Sequence, residues 1–243
     1  MIPRRLNNLL HPKLGEVWMM HRVVEHRSDT PEQRMLEVTP NFLEQKILEH
    51  QRKGYCFLSI DDFLQREGGM EKDSYPPILR RRKQKWICLT FDDGYRDNYT
   101  LAYPLLKRLG VPFTVYVTTG FIDNQMSMWW YPGERLGIST DELKALAADP
   151  LCTIGAHTVS HPHLDTLPPD AQRLEITTSK QQLEALLQGP VCHFSYPHGA
   201  YNSHTVDICS EMGIHTAVTT NGRTVRNNYN PLQLDRINIV QPD

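Results

Sequence analysis

The chain has 243 residues, 40% of them hydrophobic and 22% charged, with a formal net charge of -2 at pH 7. That length and balance allow a sizeable core in one large α/β unit or two small ones, and the near-neutral charge argues against a nucleic-acid binder or an acidic tail protein. The five cysteines (Cys56, Cys88, Cys152, Cys192 and Cys209) are odd in number, far apart and without a CxxC pair, which argues against a disulfide framework and against a thiolate zinc site.

From the N-terminus, MIPRRLNNLLHPKLGEVW carries basic residues but no apolar run of signal-peptide length. No later stretch approaches a membrane span, so a cytoplasmic, reducing setting is expected. EVWMMHRVV (Glu16 to Val24) reads as the first strand. TPNFLEQKILEHQRKG then carries an N-cap threonine, apolar residues at helical spacing and a terminal glycine. YCFLSIDDFLQREGG reads as a short strand leading into a helix capped by Ser59. A loop with Pro76 and Pro77 follows, and the basic run LRRRKQK (Leu79 to Lys85) reads as solvated rather than as a polyanion site.

KWICLTF is the next strand, and YTLAYPLLKRLG a helix with a glycine stop. PFTVYVTTGFI reads as a strand, STDELKALAADP as a capped helix, CTIGAHT as a strand, and Asp170 to Gln188 as a long helix. VCHFSYP, HTAVTTN and LQLDRINIV are further strands, with the helix NSHTVDICSEMG between the first two. Cys88, Cys152 and Cys192 sit in or beside these strands as small apolar groups. Alternating strand and helix implies a parallel sheet with outer helices, and about seven such units suit a barrel. With no repeat and no long linker, residues 1–243 are expected to form a single domain. No heptad or apolar surface stripe signals an oligomer.

Three polar clusters each follow an expected strand: TFDDGYRDN, GAHTVSHPHL and YPHGAYN. In a parallel barrel, active sites gather at the C-terminal ends of strands, so clusters distant in sequence can meet. His157 and His161 are four residues apart, a spacing that lets two imidazoles face one point. Taken alone, such a pair also serves as turn histidines before Pro162. With an aspartate from another strand end it becomes a two-histidine, one-carboxylate set, suited to zinc but also to iron or cobalt. The adjacent aspartates then divide labour: Asp93 ligates the cation, and Asp92 stays ionised as a base for a water polarised by it. The competing reading of Asp-Asp-Gly is a plain β-turn with both carboxylates in solvent.

TFDDG, HTVSH and FSYPHGAYN, in that order, resemble three motifs of the polysaccharide deacetylases (carbohydrate esterase family 4, the NodB-homology family). The likeness extends over nearly the whole chain, and is nearest to the branch acting on poly-N-acetylglucosamine-type or other cell-surface polysaccharides. It implies a distorted (β/α)7 barrel that hydrolyses an N-acetyl group on a carbohydrate with one divalent metal, zinc foremost, or cobalt, iron or nickel. It places the catalytic base on Asp92 and the metal ligands on Asp93, His157 and His161. It also implies an oxyanion donor near His198, in a loop shaped by Tyr196 and Pro197.

Two departures from the family pattern stand out. Many members carry an arginine where this chain has Ser195, and Arg236 on the last expected strand is the candidate to replace it in orienting Asp92. Many also supply an acid histidine from a late Leu-x-His motif that LQLDRINI lacks, leaving His21, His163 and His198 as candidate donors. Trp129 and Trp130 read either as a sugar platform or as an apolar cover, with His21 a further candidate sugar contact. Tyr95 and Asn98 read as support for the Asp-Asp-Gly loop, and Tyr201 with Asn202 as a helix cap. Competing functions are a carbohydrate-binding relative without turnover, or an esterase acting on O-acetyl groups, which needs the missing acid less.

Overall fold

A computed structural model describes residues 13–67 and 85–242. Most of the N-terminal stretch, the Pro76–Pro77 loop and the basic run except Lys85 lie outside the described residues. In chain order the elements are β1 (Lys13–Met20), β2 (Arg22–Val23), α1 (Pro31–Arg34), β3 (Glu37–Val38), α2 (Pro40–Arg52), β4 (Cys56–Phe57) and α3 (Ile60–Glu67). There follow β5 (Trp86–Phe91), α4 (Tyr103–Leu109), β6 (Phe113–Val117), α5 (Thr140–Ala147), β7 (Cys152–Ala156) and α6 (Pro169–Leu187). The C-terminal part holds β8 (His193–Ser195), α7 (Ser203–Glu211), β9 (Thr216–Val218), β10 (Val225–Arg226) and β11 (Ile237–Asn238).

The main sheet runs β1-β5-β6-β7-β8-β9, every neighbouring pair parallel. β5 and β6 are buried at every position, as parallel strands covered on both faces must be. The last segment joins the two ends of the sheet. Leu234 bridges to Val218 in parallel, and β11 pairs in parallel with Trp18 and Met19 of β1. The expected distorted barrel is therefore present, with its closing stave split between two neighbours. That split is why LQLDRINIV yields only a two-residue strand: the chain crosses from β9 to β1 over Asp235 and Arg236, after a 3-10 turn at Pro231–Gln233.

Three other elements differ from the sequence reading, the expected strand PFTVYVTTGFI among them, which ends at Val117 before a 3-10 turn over Thr119–Asn124. The first strand stops at Met20, because the carbonyl of His21 accepts from the Asn98 side chain (2.8 Å) and Arg22 N–H turns to Leu36 (2.9 Å). Arg22 and Val23 then pair with β3 in a separate small sheet. The helix expected from Tyr99 opens with a π-turn, Asn98–Ala102. Pro104 has no N–H for the carbonyl four residues back, and its ring crowds that carbonyl, so the turn widens. Gly110, left-handed at φ 63, ends α4 as the glycine stop implied.

Side chains alternate along a strand, and this decides what fills the barrel. Val17, Cys88, Tyr116, Val218 and Leu234 pack together in one buried cluster. The same parity, carried toward the strand tops, aims Thr90, Asp92, His157, Ser195 and Arg236 inward. Gly155 lets the Tyr116 ring cross: a Cβ there would lie 2.4 Å from the ring. The opposite faces of β5, β6 and β7 pack against the helices, with Leu89, Phe91, Val115, Ile154, Leu143 and Ile176 in a second, larger cluster. All five cysteines are free thiols; Cys88 and Cys152 are buried as expected, while Cys192 is only half-buried.

Candidate active site

A cleft of about 370 Å³ opens at the C-terminal ends of the strands. Asp92 continues β5 by one step, its N–H donating to Met20 C=O (3.0 Å). Asp93 and Gly94 then both turn left-handed, at φ 73 and 78. Aspartate is among the few residues that enter this region readily. Gly94 has little room for anything larger, since a Cβ there would meet Val117 at 3.0 Å. This turn swings the Asp93 carboxylate across to the histidines. His157 follows β7, its N–H donating to Val117 C=O (3.0 Å). Thr158 and His161 are left-handed at φ 66 and 61, which folds the HxxxH segment into a loop rather than a helix.

Asp93 Oδ1 lies 3.4 Å from His157 Nε2 and 3.2 Å from His161 Nε2, with all three residues buried. One ligand atom from each falls within 4.8 Å of the others. His157 donates its Nδ1–H to the Ser195 carbonyl (2.7 Å). A carbonyl can only accept, so this bond fixes the tautomer and leaves Nε2 with a bare lone pair. Asp93 Oδ1 is buried and accepts no hydrogen bond from the described residues. Acceptors facing one another at this separation need a proton or a cation between them. Ligands about 2.0–2.1 Å from a tetrahedral zinc stand roughly 3.3 Å apart, so the three residues fit such an ion.

Asp92 is held differently. Arg236, wholly buried, clamps it with two bonds, Nη1 to Oδ1 (2.7 Å) and Nη2 to Oδ2 (2.6 Å). The guanidinium is itself fixed by Thr219 C=O (2.9 Å), Thr90 Oγ1 (3.1 Å) and Ser195 Oγ (3.0 Å). Ser195 also donates to Asp92 Oδ2 (3.2 Å). Burial alone would raise the Asp92 pKa, but the Arg236 charge and its hydrogen bonds outweigh it and hold the carboxyl below its ordinary value. Burial likewise opposes ionisation of Asp93, and the neighbouring His161 and His157 imidazoles hold it well below its ordinary value. His157 is raised: desolvation works against the imidazolium, but Asp93 and Asp92 prevail. His198 falls to about 4, through burial and the neighbouring His161 and His163.

Of the residues singled out from the sequence, His21, Asp92, Asp93, Trp129, Trp130, His157, His161 and His198 all border this cleft. Arg236 reaches Asp92 from inside the barrel. Tyr196 and Pro197 do not border it: the Tyr196 hydroxyl donates to Leu232 C=O (2.9 Å) and its ring stacks on Tyr201. Asn202 alone caps α7, while Tyr201 serves that stack. His163 stacks on His198 at 3.8 Å. His21 lies at the break after β1 with Nδ1 buried and without a hydrogen-bond partner among the described residues, and burial lowers its pKa.

The two tryptophans separate. Trp130 packs against Phe121 and His161 and donates to the Tyr95 hydroxyl (2.6 Å), whereas Trp129 is 69% exposed on the rim. The loop that carries them is tied down by a network the sequence did not announce. Tyr131 donates to buried Glu37 (3.0 Å), which also accepts from Ser28 N–H and Oγ and pairs with Arg22, itself bound to Asp97 (2.8 Å). Gln33 and Glu32 of α1 complete the rim. No periodicity marks these residues, because each serves a loop rather than a helix or sheet face.

Comparisons with known proteins agree in direction. The family model for polysaccharide deacetylase matches residues 80–217, more than half of the chain. Among curated proteins, YxkH of Bacillus subtilis is 28% identical over 160 residues, 66% of this chain and 53% of its own. The peptidoglycan-N-acetylmuramic acid deacetylase PdaA of the same organism is 25% identical over 140 residues, 57% of this chain and 48% of its own. The chain thus spans about half the length of these curated relatives. Among solved structures, the Streptococcus pyogenes deacetylase PplD in complex with acetate superposes with a TM-score of 0.73 at 27% identity, covering 93% of this chain and 92% of that one. IcaB from Ammonifex degensii shares the fold at a TM-score of 0.72 and 21% identity, covering 93% and 92%.

Proposed function

Because the chain belongs to the polysaccharide deacetylase family, we propose that it hydrolyses the N-acetyl group of an N-acetylated sugar within a glycan, releasing acetate. The observation that carries this reading is the convergence of Asp93, His157 and His161 beside a second carboxylate clamped by Arg236. A divalent cation held by those three residues, zinc foremost or else cobalt, iron or nickel, would polarise the acetyl oxygen and acidify water.

The protein groups divide the remaining work. Asp92, kept ionised by Arg236, takes a proton from the attacking water as it adds to the amide carbon. In this reading a donor of the turn at His198, which lines the cleft, meets the negative charge that develops on the acetyl oxygen and acts mainly on the transition state. On the same reading His21, which borders the same cleft with an Nδ1 that has no hydrogen-bond partner among the described residues, passes a proton to the sugar nitrogen as the C–N bond breaks. Trp130 walls the site, and exposed Trp129 offers a flat face to a sugar ring. The acetate bound by PplD, a deacetylase with the same fold, supports the choice of leaving product.

The test is elemental analysis of wild type and His157→Ala, with acetate release from N-acetylglucosamine oligomers measured on the same samples. About one metal per chain, lost in the variant, with acetate appearing only in metal-loaded wild type, is the expected result. Metal without acetate would overturn the substrate or the catalysis. No uptake of supplied zinc or cobalt would overturn the metal centre.

A further inference from the structure

We infer that Glu175, on α6 and outside all three motif clusters, is a positioning residue that holds the HxxxH loop in its metal-binding shape. This rests on the metal centre proposed above. One Glu175 oxygen accepts both the Val159 N–H (2.8 Å) and the Ser160 N–H (3.0 Å), and the other accepts the Ser160 hydroxyl (2.7 Å). His161 N–H goes to Thr158 Oγ1 (3.0 Å). The N–H groups of Val159, Ser160 and His161 are therefore satisfied, two of them by a single carboxylate.

The loop needs such a hold. Thr158 and His161 both sit at positive φ, where a side chain other than glycine is strained and persists only if its surroundings fix it. The carbonyls of Thr158 and Val159 are taken by Thr119 and Gly120 N–H groups (3.1 and 2.9 Å) from the top of β6. The donors face the other way, toward α6. That helix is a firm post: Ile176, Ser179 and Leu183 are buried beneath it, and Gln182 binds the Thr119 hydroxyl (2.5 Å). Glu175 thus joins the loop to α6, and β6 joins it to the barrel. His161 is placed opposite Asp93 before any cation arrives, and ordering costs already met in the free protein are not charged to binding.

The consequence is for metal retention rather than folding. The test is zinc and cobalt affinity, by competition with a chromophoric chelator, together with thermal melts of metal-stripped protein. The expected result for Glu175→Ala is affinity weaker by roughly 10- to 100-fold, the range usual when support for a metal ligand is removed, with the stripped melt close to wild type. Glu175→Gln keeps an oxygen for both backbone donors and is expected to restore affinity to within about threefold, since the shape of the acceptor is conserved. Wild-type affinity in Glu175→Ala would overturn the role. So would a failure of Glu175→Gln to rescue, or a stripped Glu175→Ala that has lost its cooperative melt. A wild type that binds neither metal would overturn the metal centre and this role together, whereas the other outcomes leave the centre standing.

Discussion

The two ends of the barrel carry clefts of similar size, about 370 Å³ at the top and about 390 Å³ at the bottom, and both place histidine beside aspartate. At the bottom, where β7 and β8 begin, His193 Nε2 donates to Asp61 (2.9 Å) and Nδ1 accepts from the Thr216 hydroxyl (2.8 Å). Both ring nitrogens are satisfied, and Asp61 is half exposed. At the top, Asp93 Oδ1 has no hydrogen-bond partner among the described residues, two imidazole nitrogens face it, and the backbone holding them is left-handed at Asp93, Thr158 and His161. Residue type is nearly the same in the two places. What differs is the state of the polar atoms. A buried polar atom left unpaired costs about 1–3 kcal/mol, and strained backbone adds to that. Convergent, unpartnered acceptors mark a place built for a ligand, and closed hydrogen-bond circuits mark a place built for stability.

The sharpest way to break this contrast is at Asp92. Asp92→Asn removes the proposed base but leaves the three residues proposed to hold the metal, so acetate release should fall roughly 10²- to 10⁴-fold while metal content stays at the wild-type level. Loss of metal along with activity would mean that the two aspartates share one job. Arg236 comes next. Arg236→Ala strands a buried carboxylate, and breaking a buried pair typically costs about 3–5 kcal/mol, to be read by denaturant unfolding. Arg236→Lys keeps the charge but not the two-pronged clamp. Because the clamp holds the Asp92 pKa down, the base stays ionised to lower pH; loosening the clamp raises that pKa, so the acid limb of kcat/KM should move to higher pH. An unmoved limb would detach Arg236 from the base.

How much of this was legible depended on whether a residue's task leaves a pattern. The strands of the barrel show as apolar runs, and Asp92, Asp93, His157 and His161 stand where polar residues interrupt them at strand ends. Arg236 was found by a gap: Ser195 stands where a guanidinium was expected, and strand parity brings the arginine to the same carboxylate from across the barrel. The break at His21 was not legible, because it depends on Asn98, 77 residues away, taking its carbonyl. Glu37 and Glu175 were equally silent. Each is an ordinary glutamate in sequence, and its meaning comes from backbone N–H groups that only the folded loops present to it.

The bottom cleft supplies the smallest effect and the control. The His193 hydrogen bond is the main reason the Asp61 carboxyl is held below its ordinary pKa, with burial opposing it. A carboxylate depressed in the folded state adds stability that is present above its unfolded pKa, about 3.9, and is lost as pH falls through the lower, folded value. Asp61 is 51% exposed, so solvent screens the pair and the contribution should stay below about 1 kcal/mol. Asp61→Asn should therefore lower stability slightly at pH 7 and converge on wild type in acid, with metal content and acetate release unchanged. The measurement is urea unfolding across pH, beside activity. If the variant instead lost metal or turnover, the lower histidine–aspartate pair would be coupled to the upper one, and satisfied hydrogen bonds would no longer separate a structural cluster from a functional one in this barrel.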